Sequence, residues 1–211
     1  MGYKLVYWDA RGRAEPIRLC FAYAGVEYED KRITDEMWEN HVKPRSTEMA
    51  FGTVPMFAQD GRGFGQAGAI IRYVAKQLNL NGSDDWEAAK IDSYYCGIED
   101  LLLEMRPFSK AVRAGDEEAQ KTAIEAAQPV LKTFVERYVK FLERNGNNGF
   151  LVGDKPSYVD FTLYHFVQQL CVLGKQHALF DNYPTLQAYM KGIGELKGIK
   201  EWLEKRPKTS F

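Results

Sequence analysis

The feature that most constrains this chain is a change of pattern near residue 80. Before it, short β-branched or aromatic runs alternate with amphipathic ones; beyond it, only the three-and-four spacing of helices persists. Tyr3–Trp8 reads as a strand, Ala14–Ala24 as a helix and Glu27–Ile33 as a second strand. Asp35–His41 follows as a short polar helix or turn, and Val54–Ala58 as a third strand. Gln59-Asp60-Gly61 makes a hairpin turn, which also accounts for the glycines of Gly61-Arg62-Gly63-Phe64-Gly65, and Gln66–Leu78 makes an amphipathic helix. This order predicts an α/β layer with helices packed on a mixed sheet.

The second part is all helical by the same criterion. Apolar residues at Ile91, Tyr94, Ile98, Leu101, Leu102 and Met105 mark one long helix. Ile124, Ala127, Leu131, Phe134, Tyr138 and Phe141 mark another, with Pro129 predicting a kink. Ser157-Tyr158-Val159-Asp160 has the spacing of a capping box before the apolar run Phe161–Leu173. Tyr183-Pro184 and Gly198 punctuate two shorter helices, and Lys205-Arg206-Pro207-Lys208 reads as a solvated tail. The expected domains are residues 1–78 and 86–211, joined by a polar linker over 79–85.

Composition narrows the function classes. Lys and Arg number 28 against 29 Asp and Glu, a net charge of −1 without a basic cluster, so nucleic acid is not an expected partner. No run approaches the ~18 apolar residues of a membrane span. The first ten residues read as a strand rather than a secretory leader, and Cys20, Cys96 and Cys171 form no CxxC pair, so a reduced cytoplasmic setting is expected. His41, His165 and His177 lack metal-ligand spacing, and no metal site is expected. Neither a nucleophile elbow nor a phosphate loop occurs. What remains is the end of the first strand: Tyr7, then a glycine-containing turn that opens a helix, the place where α/β layers bind ligands.

Four stretches in order carry a resemblance. They are Tyr7-x-x-x-Arg11-Gly12-Arg13-Ala14-Glu15-x-Ile17-Arg18, Phe51-Gly52-Thr53-Val54-Pro55, Gln66-Ala67-x-Ala69-Ile70 and Leu151-Val152-Gly153-Asp154-x-x-Ser157-x-x-Asp160. Together they resemble the cytosolic glutathione transferases over essentially the whole chain. The Arg-Gly-Arg-Ala-Glu opening and the Arg206-Pro207-Lys208-Thr209-x-Phe211 ending resemble the sigma class, which includes invertebrate members and glutathione-dependent prostaglandin D synthases. The resemblance implies a thioredoxin-like N-terminal domain, an all-α C-terminal domain, a homodimer, and glutathione as co-substrate with no cofactor.

It also implies roles. Tyr7 matches the tyrosine that donates a hydrogen bond to the glutathione sulfur, with Arg13 adding positive potential beside it. Trp38 and Lys43 resemble the pair holding the glycyl carboxylate, with Arg45 as the alternative to Lys43. Thr53, Val54 and Pro55 match the segment that pairs its backbone with the cysteinyl unit, Val54 being locked by a cis peptide to Pro55. Gln66 and the N–H of Ala67 match the γ-glutamyl carboxylate site, and Asp100 the acid that reaches the γ-glutamyl ammonium of the neighbouring subunit. Trp8, Ala10, Met105 and Phe108 are the expected wall of the electrophile pocket. One departure stands out: the family usually has Ser where this chain has Ala67. The leading expectation is conjugation of glutathione to small hydrophobic electrophiles, a detoxification chemistry. Prostaglandin isomerisation at the same site and a non-enzymatic, crystallin-like or ligand-binding role are the rivals.

Overall fold

The computed structural model describes residues 2–42 and 51–209. The chain divides into two compact units, one comprising Met1–Leu80 and Leu196–Phe211, the other Asn81–Glu195. The first is the expected mixed sheet with helices, and the second is helical.

In the first unit, β1 (Tyr3–Trp8), β2 (Glu29–Ile33), β3 (Met56–Gln59) and β4 (Arg62–Gly65) form one sheet in the order β2-β1-β3-β4. β1 pairs parallel with β2, while β3 runs antiparallel to both β1 and β4. The β3–β4 hairpin turns through Asp60 and Gly61, whose φ values of +50° and +79° are the left-handed pair a tight two-residue turn needs. Helix α1 (Glu15–Ala24) is preceded by a 3-10 turn over Gly12–Ala14 and ends at Gly25, φ +64°. A single helical turn, α2 (Asp35–Met37), is capped by Thr34 and runs into a wider turn over Trp38–Val42. Helix α3 (Ala67–Gln77) completes the layer and places Ile70, Ile71, Val74 and Ala75 in the core.

The second unit contains α4 (Asp85–Glu104), α5 (Arg106–Ala114), α6 (Glu117–Arg144), α7 (Tyr158–Val172), α8 (His177–Asp181) and α9 (Pro184–Glu195). Asp84 and Asp116 cap α4 and α6 by accepting backbone N–H bonds from Glu87 and Ala119. Met105 separates α4 from α5, and Pro107 stands in the first turn of α5, where its missing N–H costs nothing. The apolar spacing did not reveal α5. Helix α6 is one continuous element across Pro129, and α7 is the central helix, buried on nearly every side from Tyr158 to Val167.

One helix lies elsewhere than expected. The last, α10 (Lys197–Lys205), packs on α1 in the first unit, although the sequence division assigns it to the helical domain. Gly198 allows this: a Cβ there would lie 2.1 Å from the carbonyl oxygen of Ala22, so only glycine lets the helices approach. Gly198 therefore sits within α10 instead of terminating an element. Among the described residues, no helix is long and apolar enough to cross a membrane, and no group of three His, Cys, Asp or Glu could hold a metal ion.

Candidate active site

The antiparallel pairings bring the C-terminal end of β1, the start of β3 and the end of β4 to one edge of the sheet. Val6 pairs with Met56, and Met56 with Gly65. Tyr7, Thr53-Val54-Pro55 and Gln66-Ala67 are the residues next to these three, so segments far apart in sequence converge through register alone.

Tyr7 is 7% exposed, and its hydroxyl oxygen accepts the backbone N–H of Arg13 at 3.2 Å. A phenol that accepts one bond retains its own O–H to donate. Gly12 makes the approach possible: with φ +39°, a Cβ there would lie 2.6 Å from the Tyr7 oxygen. The Arg13 side chain is exposed.

Just ahead of β3, the Val54–Pro55 peptide is cis. Gly65 lies beside it, a position where a Cβ would sit 3.7 Å from the Pro55 carbonyl oxygen and 4.0 Å from that of Thr53. Gln66 has φ +77°, a region that non-glycine residues seldom occupy and that clusters at functional positions. It leads directly into α3, whose first residue is the buried Ala67 and whose start has no side-chain cap among the described residues. Such a start presents unsatisfied N–H groups, suited to an anion.

Trp38 is half-buried, 5.6 Å centroid to centroid from Trp8. Both pack, with Val54 and Met37, against the small cluster of Val6, Ile33, Val42 and Met56. Lys43 and Arg45 lie outside the described residues. Of the four expected pocket residues, Trp8 and Ala10 belong to the first unit, while the buried Met105 and Phe108 belong to the second. Asp100 is also in the second unit, exposed on α4. It lines a cleft of about 340 Å³ with Leu101, Glu104, Phe134 and Arg137. Cys20 is fully buried in α1, where desolvation pushes its thiol well above the usual range and makes it a poor nucleophile.

The sequence reading passed over a charged network beneath Tyr7. Arg18, fully buried, places its guanidinium carbon 5.9 Å from the centroid of the Tyr7 ring. It pairs with Glu15 at 3.2 Å and Asp30 at 3.1 Å and donates to the carbonyl oxygen of Ala10 at 2.7 Å. Arg32 links Asp30 to Asp9. Glu15, also fully buried, accepts further bonds from the Trp202 indole N–H and the Arg206 guanidinium, each at 2.8 Å. Arg206 is thus no solvated tail residue: its side chain is 16% exposed and holds the chain end to α1. Burial, and after it the nearby Arg206 charge, lowers the Arg11 guanidinium below its ordinary range, with Glu15 opposing. The Glu15–Arg18 spacing of three along a helix is the one local signal that could have revealed this network.

Two family models match the chain, the glutathione S-transferase N-terminal domain over residues 3–76 and the glutathione S-transferase C-terminal domain over residues 104–206. A probable glutathione S-transferase 5 of Caenorhabditis elegans is 36% identical over 214 aligned residues, covering 100% of each chain. The crystal structure of monomeric Na-GST-3, a glutathione S-transferase from the hookworm Necator americanus, superposes with a TM-score of 0.89 at 32% identity, covering 100% of both chains. A prostaglandin synthase D of Nilaparvata lugens superposes with a TM-score of 0.79 at 28% identity, over 99% of this chain and 100% of that one. A thioredoxin-like sheet followed by a helical unit, family models over both parts and full-length relatives converge on one conclusion: the chain belongs to the glutathione S-transferase family and is a glutathione transferase.

Proposed function

We propose that this protein conjugates glutathione to small hydrophobic electrophiles as a sigma-class transferase, with Tyr7 as the group that holds the thiolate. The supporting observation is the Tyr7 hydroxyl, which accepts the Arg13 N–H at 3.2 Å and keeps its proton for a ligand. A free thiol of pKa about 8.5 is only about 3% ionised at pH 7. Lowering that pKa by about two units, roughly 2.7 kcal/mol of differential stabilisation, makes most of it nucleophilic. A preorganised donor aimed at the sulfur supplies much of this difference. The thiol proton leaves to solvent, the sulfur forms a bond to the electrophilic carbon, and the leaving group departs with the electron pair of the bond that breaks. Arg13 contributes positive potential.

In the same reading, Trp38 with Lys43 or Arg45 holds the glycyl carboxylate, and the backbone of Thr53-Val54-Pro55 pairs with the cysteinyl unit. Gln66 and the Ala67 N–H receive the γ-glutamyl carboxylate. Trp8, Ala10, Met105 and Phe108 take the electrophile. Glutathione is consumed as co-substrate, so the reaction calls for no cofactor or metal. Asp100 serves the partner's glutathione in a cytoplasmic homodimer. Sedimentation of the purified chain tests this last point, a single-chain mass counting against it, as the description of Na-GST-3 as monomeric makes pertinent.

Conjugation of glutathione to an activated aryl halide tests the mechanism. Tyr7→Phe lowers turnover by about 100-fold, the scale of one lost preorganised donor, while the melting temperature stays nearly unchanged. An unaltered rate removes Tyr7 from the chemistry. A second reading, isomerisation of a prostaglandin endoperoxide at the same thiolate, draws support from the similarity to the Nilaparvata prostaglandin synthase. Incubation with the endoperoxide and analysis of the product distribution separates the two activities.

A further inference from the structure

We propose that Arg18 is a positioning residue for Tyr7, and that Trp202 of the C-terminal helix and Arg206 just past its end set its aim through Glu15. The inference rests on the reading of Tyr7 as the sulfur donor and adds a device that controls it.

Arg18 meets the site by two routes. Its Nη1 donates to the carbonyl oxygens of Ala10 and Arg11, at 2.7 and 3.4 Å. These residues immediately precede Gly12 and Arg13, the pair that fits against the Tyr7 hydroxyl. Its guanidinium also lies 5.9 Å from the centroid of the Tyr7 ring, within cation–π range. A guanidinium is a rigid planar fork, so moving one of its bonds moves the rest. Rotation of Arg18 therefore shifts both the loop that bonds the phenol and the charge against its ring.

Glu15 fixes that rotation. Its Oε2 accepts from Arg18, and its Oε1 accepts from both Trp202 and Arg206. These two donors, one on α10 and one just past its end, lie 187 and 191 positions away. Without them, the buried Oε1 would lose two donors, and the loss of donors to a buried carboxylate is costly. A remedy within the network is Arg18 itself, whose buried Nη2 has no hydrogen-bond partner among the described residues. Engaging Nη2 as well would make the pair a two-bond fork, a favoured guanidinium–carboxylate geometry, and would draw Nη1 from the Ala10 carbonyl. The seat of α10 on α1, close enough that Gly198 has no room for a Cβ, thus determines how Arg18 addresses Tyr7. Arg11, Arg32, Asp30 and Asp9 complete the charges around this relay.

The test uses the full chain with glutathione bound and follows the ultraviolet thiolate band against pH. The variant Trp202→Phe with Arg206→Met removes both donors while keeping a ring and an unbranched stem in the packing; Trp202→Phe alone serves if the pair fails to fold. The thiolate midpoint is expected to rise by about half a pH unit or more, roughly a threefold loss of thiolate below the midpoint. Glutathione affinity changes less than this, and turnover falls by up to about tenfold, since small misplacements of reacting groups are expensive. Arg206→Lys, which restores a cation, recovers part of the shift. In a Tyr7→Phe background, the same α10 substitutions leave the midpoint where Tyr7→Phe alone puts it. If Tyr7→Phe moves the midpoint and the α10 variants do not, the relay is wrong and Tyr7 keeps its role. If Tyr7→Phe itself leaves the midpoint unmoved, the Tyr7 reading falls, and the relay with it.

Discussion

Glu15 and Asp160 are both fully buried carboxylates in the first turn of a helix, yet their surroundings differ in kind. Glu15 faces cations: Arg18 and Arg206 bind it, with the Trp202 indole as a third donor. Asp160 faces neutral donors, namely the N–H and O–H of Ser157, the N–H of Leu151 and the O–H of Tyr189. Four neutral donors do not offset its desolvation, and burial pushes its carboxyl up to about 6. The Asp160 network closes locally, tying a loop and α9 to the start of the central helix. The Glu15 network leads from the chain end to the base of Tyr7. Two buried acids thus serve different ends, one the fold of its unit and the other the aim of the site.

Removing the charge at each position gives the largest effects. Glu15→Gln leaves Arg18 buried with one fewer anion, and breaking such a pair costs about 3–5 kcal/mol. For a chain of this size, that corresponds to a fall in melting temperature of roughly 10 °C. Turnover measured well below the transition should fall as well. Asp160→Asn turns one acceptor oxygen into an NH2 group facing existing donors and costs about 2–3 kcal/mol. Conjugation rate per folded molecule is expected to remain at the parent value. Equal activity in the two folded variants would erase the distinction drawn between them.

The raised Asp160 carboxyl sharpens the contrast through pH. Its folded value of about 6 lies above the ordinary 3.8, so the native state holds this proton more tightly than the unfolded chain. Stability from this group is therefore complete below about pH 4 and is lost as pH rises toward about 6. Urea midpoints across that window, taken as the difference between parent and Asp160→Asn, isolate the contribution because other carboxylates cancel. A flat difference would mean that Asp160 stays ionised throughout.

How far the sequence revealed these regions depended on the range of each signal. The Ser157–Asp160 box is readable because its partners lie three residues apart. The sheet edge was legible piece by piece, since Tyr7, Val54-Pro55 and Gln66-Ala67 each stand in a short motif, and pairing register then unites them. The Glu15–Arg206 contact spans 191 positions, and a Lys-Arg-Pro-Lys run looks solvated to any local criterion. Helices α5 and α8 escaped for a related reason: one follows α4 after a single residue, and the other is five residues long, too short for periodicity. Lys43 and Arg45, the rival partners for the glycyl carboxylate, lie outside the described residues.

The smallest expected effect belongs to Ala67, where the site departs from the family's usual serine. Ala67 is 7% exposed at the first position of α3, directly after the strained Gln66, so its side chain can reach only the immediate start of the helix. Ala67→Ser adds one hydroxyl where the γ-glutamyl carboxylate is proposed to sit. A hydrogen bond to a charged group is worth about 1.5–3 kcal/mol when fully made, but the new hydroxyl must also give up water and can turn back to nearby backbone. A gain in glutathione affinity of up to about tenfold, near 1.4 kcal/mol, is therefore expected by calorimetry, with little change in turnover at saturating glutathione. Because α3 begins with unsatisfied N–H groups, the opposite outcome is equally informative. An unchanged affinity would mean that backbone donors already satisfy the carboxylate, and the region near Ala67 would then resemble Asp160, held by neutral donors, more than the cation-bound Glu15.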